Sequence, residues 1–223
     1  MLCLFLTPLL TGFEFLGFAS NSWHQKMTVE VRVNGEVYSA ASVVAMSVFR
    51  HPDIPLVHGN LDLDMAGEAV VVELPDNRQL FALLTYNAYL AVKAFSDVMS
   101  RKDRQSSDQW AIVTAQKGKG RELAPKDYPL LVTFTDITDP TTVKQVDPDN
   151  LAATFGPGVS LKRITLEITD EPVTEGKIES VLGWWCALRE KRARLNGSTS
   201  IAISDNELSN NLGSGAFKIG KCQ

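Results

Sequence analysis

Cysteine is scarce: the chain carries three, Cys3, Cys186 and Cys222. That number excludes a disulfide framework, and the spacing excludes the paired ligands of a structural zinc site. Only if the chain is exported are Cys186 and Cys222 candidates to pair, and their number alone does not decide it. Histidine is as sparse, with His24, His51 and His58 the whole supply. A nucleophile that needs an imidazole base must draw on one of those three. No Gly-x-Ser-x-Gly elbow is present, which removes the hydrolase nucleophile built on that turn. Basic charge is missing from the start, since no Lys or Arg precedes Lys26. Over the whole chain 26 acidic residues face 22 basic ones, a net charge of −4, so no global basic field draws in nucleic acid. No repeat at a fixed period is visible.

What comes first instead is apolar surface. Residues 1–18 hold one charged side chain, Glu14, and show no alternation that would mark a water-facing side. The segment over 1–21 reads as a signal peptide or a membrane anchor, folded as an apolar helix. A signal has its apolar stretch at residues 2–10 and a small-residue cleavage site at Gly17-Phe18-Ala19, without the usual basic start. A retained anchor needs about 20 apolar residues. Glu14 opposes it, by less than the roughly 2.5–3.5 kcal/mol of a carboxylate at helix centre. Trp23, just beyond, suits the headgroup region. A buried N-terminal helix is the remaining alternative. Both membrane readings place the rest of the chain on the inner membrane or in the periplasm.

Ten Phe and four Trp mark an ordered, packed body. The 223 residues leave room for a single α+β domain over 22–197, with a flexible Ser/Asn/Gly-rich tail over 198–223 onto which Phe217 can dock back. Alternation predicts strands over 27–33 and 36–48, joined at Asn34-Gly35, the strongest short-range hairpin signal. Residues 50–66 read as loop. A second hairpin follows, 67–74 with 79–84, turning at Pro75-Asp-Asn-Arg78 with Pro75 and an Asn as its central residues. Apolar positions at Tyr89, Leu90, Val92, Phe95, Val98 and Met99 predict an amphipathic helix over 87–99. The charged stretch 100–108 reads as a solvated helix end or loop, 110–114 as a short strand, and Lys117-Gly-Lys-Gly-Arg121 as a loop.

Further on, 130–135 and 142–146 are predicted strands. Asp147-Pro148 reads as an N-cap and first-turn proline for a short helix ending at Gly156. The surest strand is 159–169, with Leu161, Ile164, Leu166 and Ile168 facing the core. The step from Leu161 to Ile164 breaks strict alternation and predicts a bulge at Lys162-Arg163. A last helix starts after a Thr174 cap, runs through Ile178, Val181, Leu182, Trp185 and Leu188, and closes at Asn196-Gly197. The fold class is therefore α+β: an antiparallel, hairpin-rich sheet with two or three packed helices.

Candidate chemistry is thin. His51, Asp53, His58, Asp62 and Asp64 crowd one stretch, and imidazoles with carboxylates can ligate a divalent metal. His51, Asp53 and His58 are the metal candidates, although a polar loop between strands explains them more simply. Asp136, Asp139, Asp147 and Asp149 contain enough carboxylates for glycoside hydrolysis. Turn and cap roles account for them more simply. Cys186 sits beside Trp185 as packing rather than as a nucleophile. Arg189, Lys191, Arg192 and Arg194 form a basic helix end, suited to the helix dipole or to anionic lipid. No cofactor is implied.

Several stretches resemble a group of N-terminally anchored or exported alphaproteobacterial proteins with no assigned activity. They are Ser22-Trp-His-Gln-Lys26, Gly67-Glu-Ala-Val-Val-Val72, Leu80-Phe-Ala-Leu-Leu84, Tyr128-Pro-Leu-Leu-Val-Thr-Phe134 and the run from Val146 to Gly176. The resemblance covers most of 22–185 and implies an envelope setting. Function is then expected to be non-enzymatic: a membrane-anchored or periplasmic envelope protein acting on a protein partner. The alternatives are a hydrolase or metal-dependent enzyme using the His51/His58 loop, and an inhibitor or immunity-type protein.

Overall fold

The computed structural model describes residues 19–50, 61–84, 88–200 and 207–222. The expected N-terminal helix falls largely outside them, on residues 1–18, as do His51, Asp53 and His58. Among the described residues no helix is long and apolar enough to cross a membrane.

The architecture is α+β, with two antiparallel sheets and few helices. It starts with a long hairpin, β1 (Ala19–Val33) and β2 (Glu36–Arg50). Asn34 and Gly35 turn it with φ of 50° and 93°, the positive pair that a type I′ turn demands. Both strands extend further than their alternation suggested. Ser22 to Lys26, expected just past a membrane segment, belong to β1, and Trp23 is buried against Trp110 rather than placed for headgroups.

β3 (Leu61–Glu68) pairs with β2 where a loop was expected. It leaves that sheet at Gly67, where φ is +137° and an added Cβ would lie 3.1 Å from Val43 O and Val44 Cα. Only glycine fits so close a crossing of backbones. The chain then enters the second sheet as β4 (Val70–Leu74) and returns as β5 (Arg78–Ala82). Asp76 and Asn77 take the left-handed positions of that turn.

The next helix, α1 (Ala88–Ala94), is shorter than the predicted 87–99, because Ser96–Val98 tightens to a single 3-10 turn. The following element corrects the reading of 110–114 as a strand: α2 (Asp108–Thr114) is a helix with Gln109, Trp110 and Val113 buried. Trp-Ala-Ile-Val-Thr has strand-like composition, and burial at helical spacing overrides it.

β6 (Gly120–Glu122), β7 (Leu131–Phe134) and β8 (Val143–Gln145) follow. A four-residue helix, α3 (Ala152–Phe155), ends at Gly156 with φ of 90°. Asp147 holds a turn ahead of α3 by accepting from Asp149 N–H, rather than capping the helix.

β9 (Val159–Thr169) carries the predicted bulge. Its register passes from Val31↔Leu161 to Glu30↔Arg163, so Lys162 is the extra residue. The bulge keeps both Leu161 and Ile164 on the inner face.

The single predicted last helix is two, α4 (Lys177–Val181) and α5 (Trp185–Lys191). Thr174 does not cap α4. Its N–H donates to Val43 O at 3.0 Å and its Oγ1 accepts from Val43 N–H at 2.9 Å. The cap comes from far away: Glu68 accepts from the N–H groups of Lys177 and Ile178 at 3.0 and 3.1 Å. Where a loose tail was expected, residues 207–222 include α6 (Leu208–Asn211) and β10 (Lys218–Ile219), and Phe217 is fully buried.

The first sheet has the order β10-β3-β2-β1-β9-β6 and the second β4-β5-β7-β8. Odd-numbered residues of β1 face inward with Ile164, Leu166 and Ile168 of β9, under α1, α2 and one face of the second sheet. The other face of the second sheet packs on α4, α5 and Phe217 through Val71, Phe81, Leu83 and Val132. The layers are therefore sheet, sheet and helices.

Candidate functional site

An open concavity lies at one end of the first sheet. β1 supplies Ser22, Trp23 and His24, α2 and its exit supply Thr114 and Lys117, and β9 supplies Ile168 and Thr169, followed by Asp170. It encloses about 330 Å³, the lower end of the range for small-ligand sites. Trp23 forms the floor by stacking on Trp110, with centroids 5.9 Å apart and planes 18° apart. Its Nε1–H donates to Gln25 Oε1 at 3.1 Å. Lys117 and Asp170 make an ion pair on the rim.

The segment after β9 frames this cleft. His24 Nδ1 donates to the Glu171 carbonyl at 2.7 Å, leaving Nε2 as the free ring nitrogen of that contact. Lys26 Nζ reaches Glu171 Oε1 at 2.6 Å. With Thr174 bound to Val43, residues 170–176 form a strap from β9 across β1 to β2. The arrangement offers hydroxyls, one imidazole, a cation and an anion around an indole floor. It can hold a small polar group, but Thr114 Oγ1 is directed to Ala111 O at 2.9 Å and the imidazole to a carbonyl, so neither is set as nucleophile and base.

The bulge builds a second charged feature on the outer face. Lys162 Nζ and Arg163 Nη2 each lie 2.8 Å from a different oxygen of Glu30. The Arg163 hydrogen bond, and after it the Lys162 one, holds the Glu30 carboxyl below its ordinary range; the same bond raises Arg163. Adjacent residues reach one carboxylate because the bulge turns both to the same face.

The metal candidates His51, Asp53 and His58 lie outside the described residues, and among the described residues no group of His, Cys, Asp and Glu could hold a metal ion. Asp62 and Asp64, from the same acidic stretch, are in β3. The second acidic cluster is structural: Asp136 and Asp139 each accept from the N–H and hydroxyl of a Thr two residues on, at 2.9 and 2.7 Å. Those bonds from Thr138 lower the Asp136 carboxyl. Cys186 is bonded to Cys222, with Cα atoms 5.6 Å apart. Residue reading missed the Lys117–Asp170 pair and the Trp23 floor. Nothing local signals them, because β1, α2 and β9 meet only through the fold.

The chain matches no family model, no curated protein and no solved structure.

Proposed function

We propose that the protein is a non-enzymatic envelope protein, held at the inner membrane or released beyond it by its apolar opening segment, and acting by contact with a protein partner. The observation that carries the setting is the Cys186–Cys222 bond. Disulfides form and persist in oxidising compartments and are rare where thiol buffers keep cysteines reduced. The apolar run over 1–18 agrees with that setting. The contact role is supported by the first sheet, whose outer face presents Lys26, Thr28, Glu30 and Arg32 of β1 beside Ser39 and Ala41 of β2. Val37 and Phe49 of β2 stand open on that face, each at 42% of full exposure. Large apolar side chains left open beside polar ones are a common composition for a protein-binding patch.

Cell fractionation, N-terminal labelling of the mature chain and alkylation without reductant test this reading together. Recovery in membrane or periplasmic fractions, with Cys186 and Cys222 alkylated only after reduction, is expected. A freely dissolved cytosolic chain that retains Met1 and has both thiols reactive overturns it. Replacing His51 and His58 by Ala is expected to leave partner capture intact. Loss of a measurable turnover in that folded double variant would instead favour the enzyme reading.

A further inference from the structure

The C-terminal stretch is held in three chemically different ways. Its backbone bridges the two sheets: Ala69 N–H donates to Phe217 O at 2.7 Å and Leu84 N–H to Ala216 O at 2.8 Å. β10 adds a short strand to the β3 edge, pairing Lys218 with Glu68 and Ile219 with Gly67. Its side chains fill a matched seat. The Phe217 ring sits 5.8–5.9 Å from the rings of Phe81, Phe134 and Trp184. Lys218, only 2% exposed, pairs with Glu179 and lies 5.6 Å from the Trp185 ring centroid. A lysine is buried this deeply only where a carboxylate receives it. Finally, Cys222 is bonded to Cys186 on α5.

Of these three, the covalent link is the one that ordinary chemistry can undo selectively. Cys222 is exposed, whereas Phe217 and Lys218 are buried. The seat has the features of a strand-accepting seam: backbone donors from two sheets, an aromatic pocket and a carboxylate.

We propose that residues 213–222 are a clip locked into this seam by Cys186–Cys222, and that two-electron reduction by an external dithiol unlocks it, letting the clip open while the sheets stay folded. A thiolate of the dithiol attacks Sγ of Cys222. The S–S bond breaks, its electron pair leaves on Cys186 Sγ, and that sulfur takes a proton. The second thiol then closes on the reductant's own bound sulfur and expels Cys222, which is also protonated. The protein gains two electrons and two protons, and the dithiol ends as a disulfide. Opening follows because the bond closes a loop of sequence separation 36 and so restricts the open state. On the chain-entropy account, breaking it raises the open population by on the order of 10²-fold. Opening bares the β3 edge at Gly67 and Glu68 together with the Phe217 pocket. The inference shares the Cys186–Cys222 bond with the envelope reading but not the location, since it requires only that bond and a dithiol.

Native-state hydrogen exchange on the full chain, in a Cys3→Ser background that prevents thiol shuffling, tests it with dithiothreitol as the reductant. The Ala69 and Leu84 amides, which donate to the clip, are expected to lose protection at least tenfold on reduction, while β1 and β9 amides change less than twofold. A Cys222→Ser variant without reductant is expected to reproduce that pattern. Unchanged Ala69 and Leu84 amides overturn the proposal. So does an equal loss at β1 and β9, which would make the bond a fastener for the whole fold.

Discussion

The two sheets solve the burial problem differently. The first keeps one face wet: Trp23, Val29, Val31 and Val33 of β1 go inward, while Lys26, Thr28, Glu30 and Arg32 stay at the surface. The second is buried on both faces, with Val70, Val72 and Leu80 in one core and Val71, Phe81 and Leu83 in the other. Period-two patterning is a signature of half-buried strands, whereas a doubly covered strand reads as a continuous apolar run. The same backbone geometry thus leaves a clear trace in one sheet and a weak one in the other.

Substitution should expose the contrast most strongly at Phe81. Phe81→Ala is expected to cost about 3–5 kcal/mol, because the ring is fully buried and its site cannot collapse from either side. Thr28→Ala, on the wet face of β1, should stay within about 0.5 kcal/mol. Urea denaturation of the two variants reads the difference, and equal losses would abolish the distinction between the sheets. Next in size is the junction between them. Glu68→Ala leaves the N–H groups of Lys177 and Ile178 without their carboxylate and is expected to cost about 2–3 kcal/mol. Its midpoint shift should be accompanied by faster amide exchange in α4. A smaller effect belongs to the hairpin that starts the first sheet. Gly35→Ala forces an L side chain to φ of 93° and should lower stability by about 1 kcal/mol, with no change at the second sheet's amides.

The smallest effect is electrostatic. In the fold, Arg163 and Lys162 depress the Glu30 carboxyl, so its contribution is present above the ordinary carboxylate range and is lost as pH falls through the depressed value. Glu30→Gln should therefore flatten the acid limb of the stability profile and change little near neutrality beyond a constant offset. Stability curves measured from neutral pH downward that remain parallel in the two proteins would show that the cluster holds no proton-linked stability.

Local chemistry explains which elements were readable. Asn34-Gly35 specifies its turn through backbone dihedrals, and the Leu161 to Ile164 step marks a bulge because it breaks a period that both flanks obey. α2 was misread because the β-branched Ile112, Val113 and Thr114 favour strands when nothing covers them. The decisive fact, Trp110 stacked on Trp23, is a contact across 87 residues, from 23 to 110. α4 was given the wrong cap for the same reason, since Glu68 is remote in sequence. The C-terminal stretch looked loose by its Ser, Asn and Gly content. Phe217 was the one visible hint of docking, and Lys218 gave none, because a lysine advertises exposure until Glu179 is placed beside it. The cleft shared this fate, with Lys117 and Asp170 brought together only when α2 and β9 meet.

The placement of β1 has a mechanical consequence. It is interior to its sheet, with β2 along one side and β9 along the other. A force applied at Ala19 along the strand's own axis therefore loads two hydrogen-bond ladders at once, in shear. Rupture then requires many bonds to yield together, whereas an edge strand gives way through a single ladder. The start of β1 is thereby placed to carry tension into two ladders rather than one.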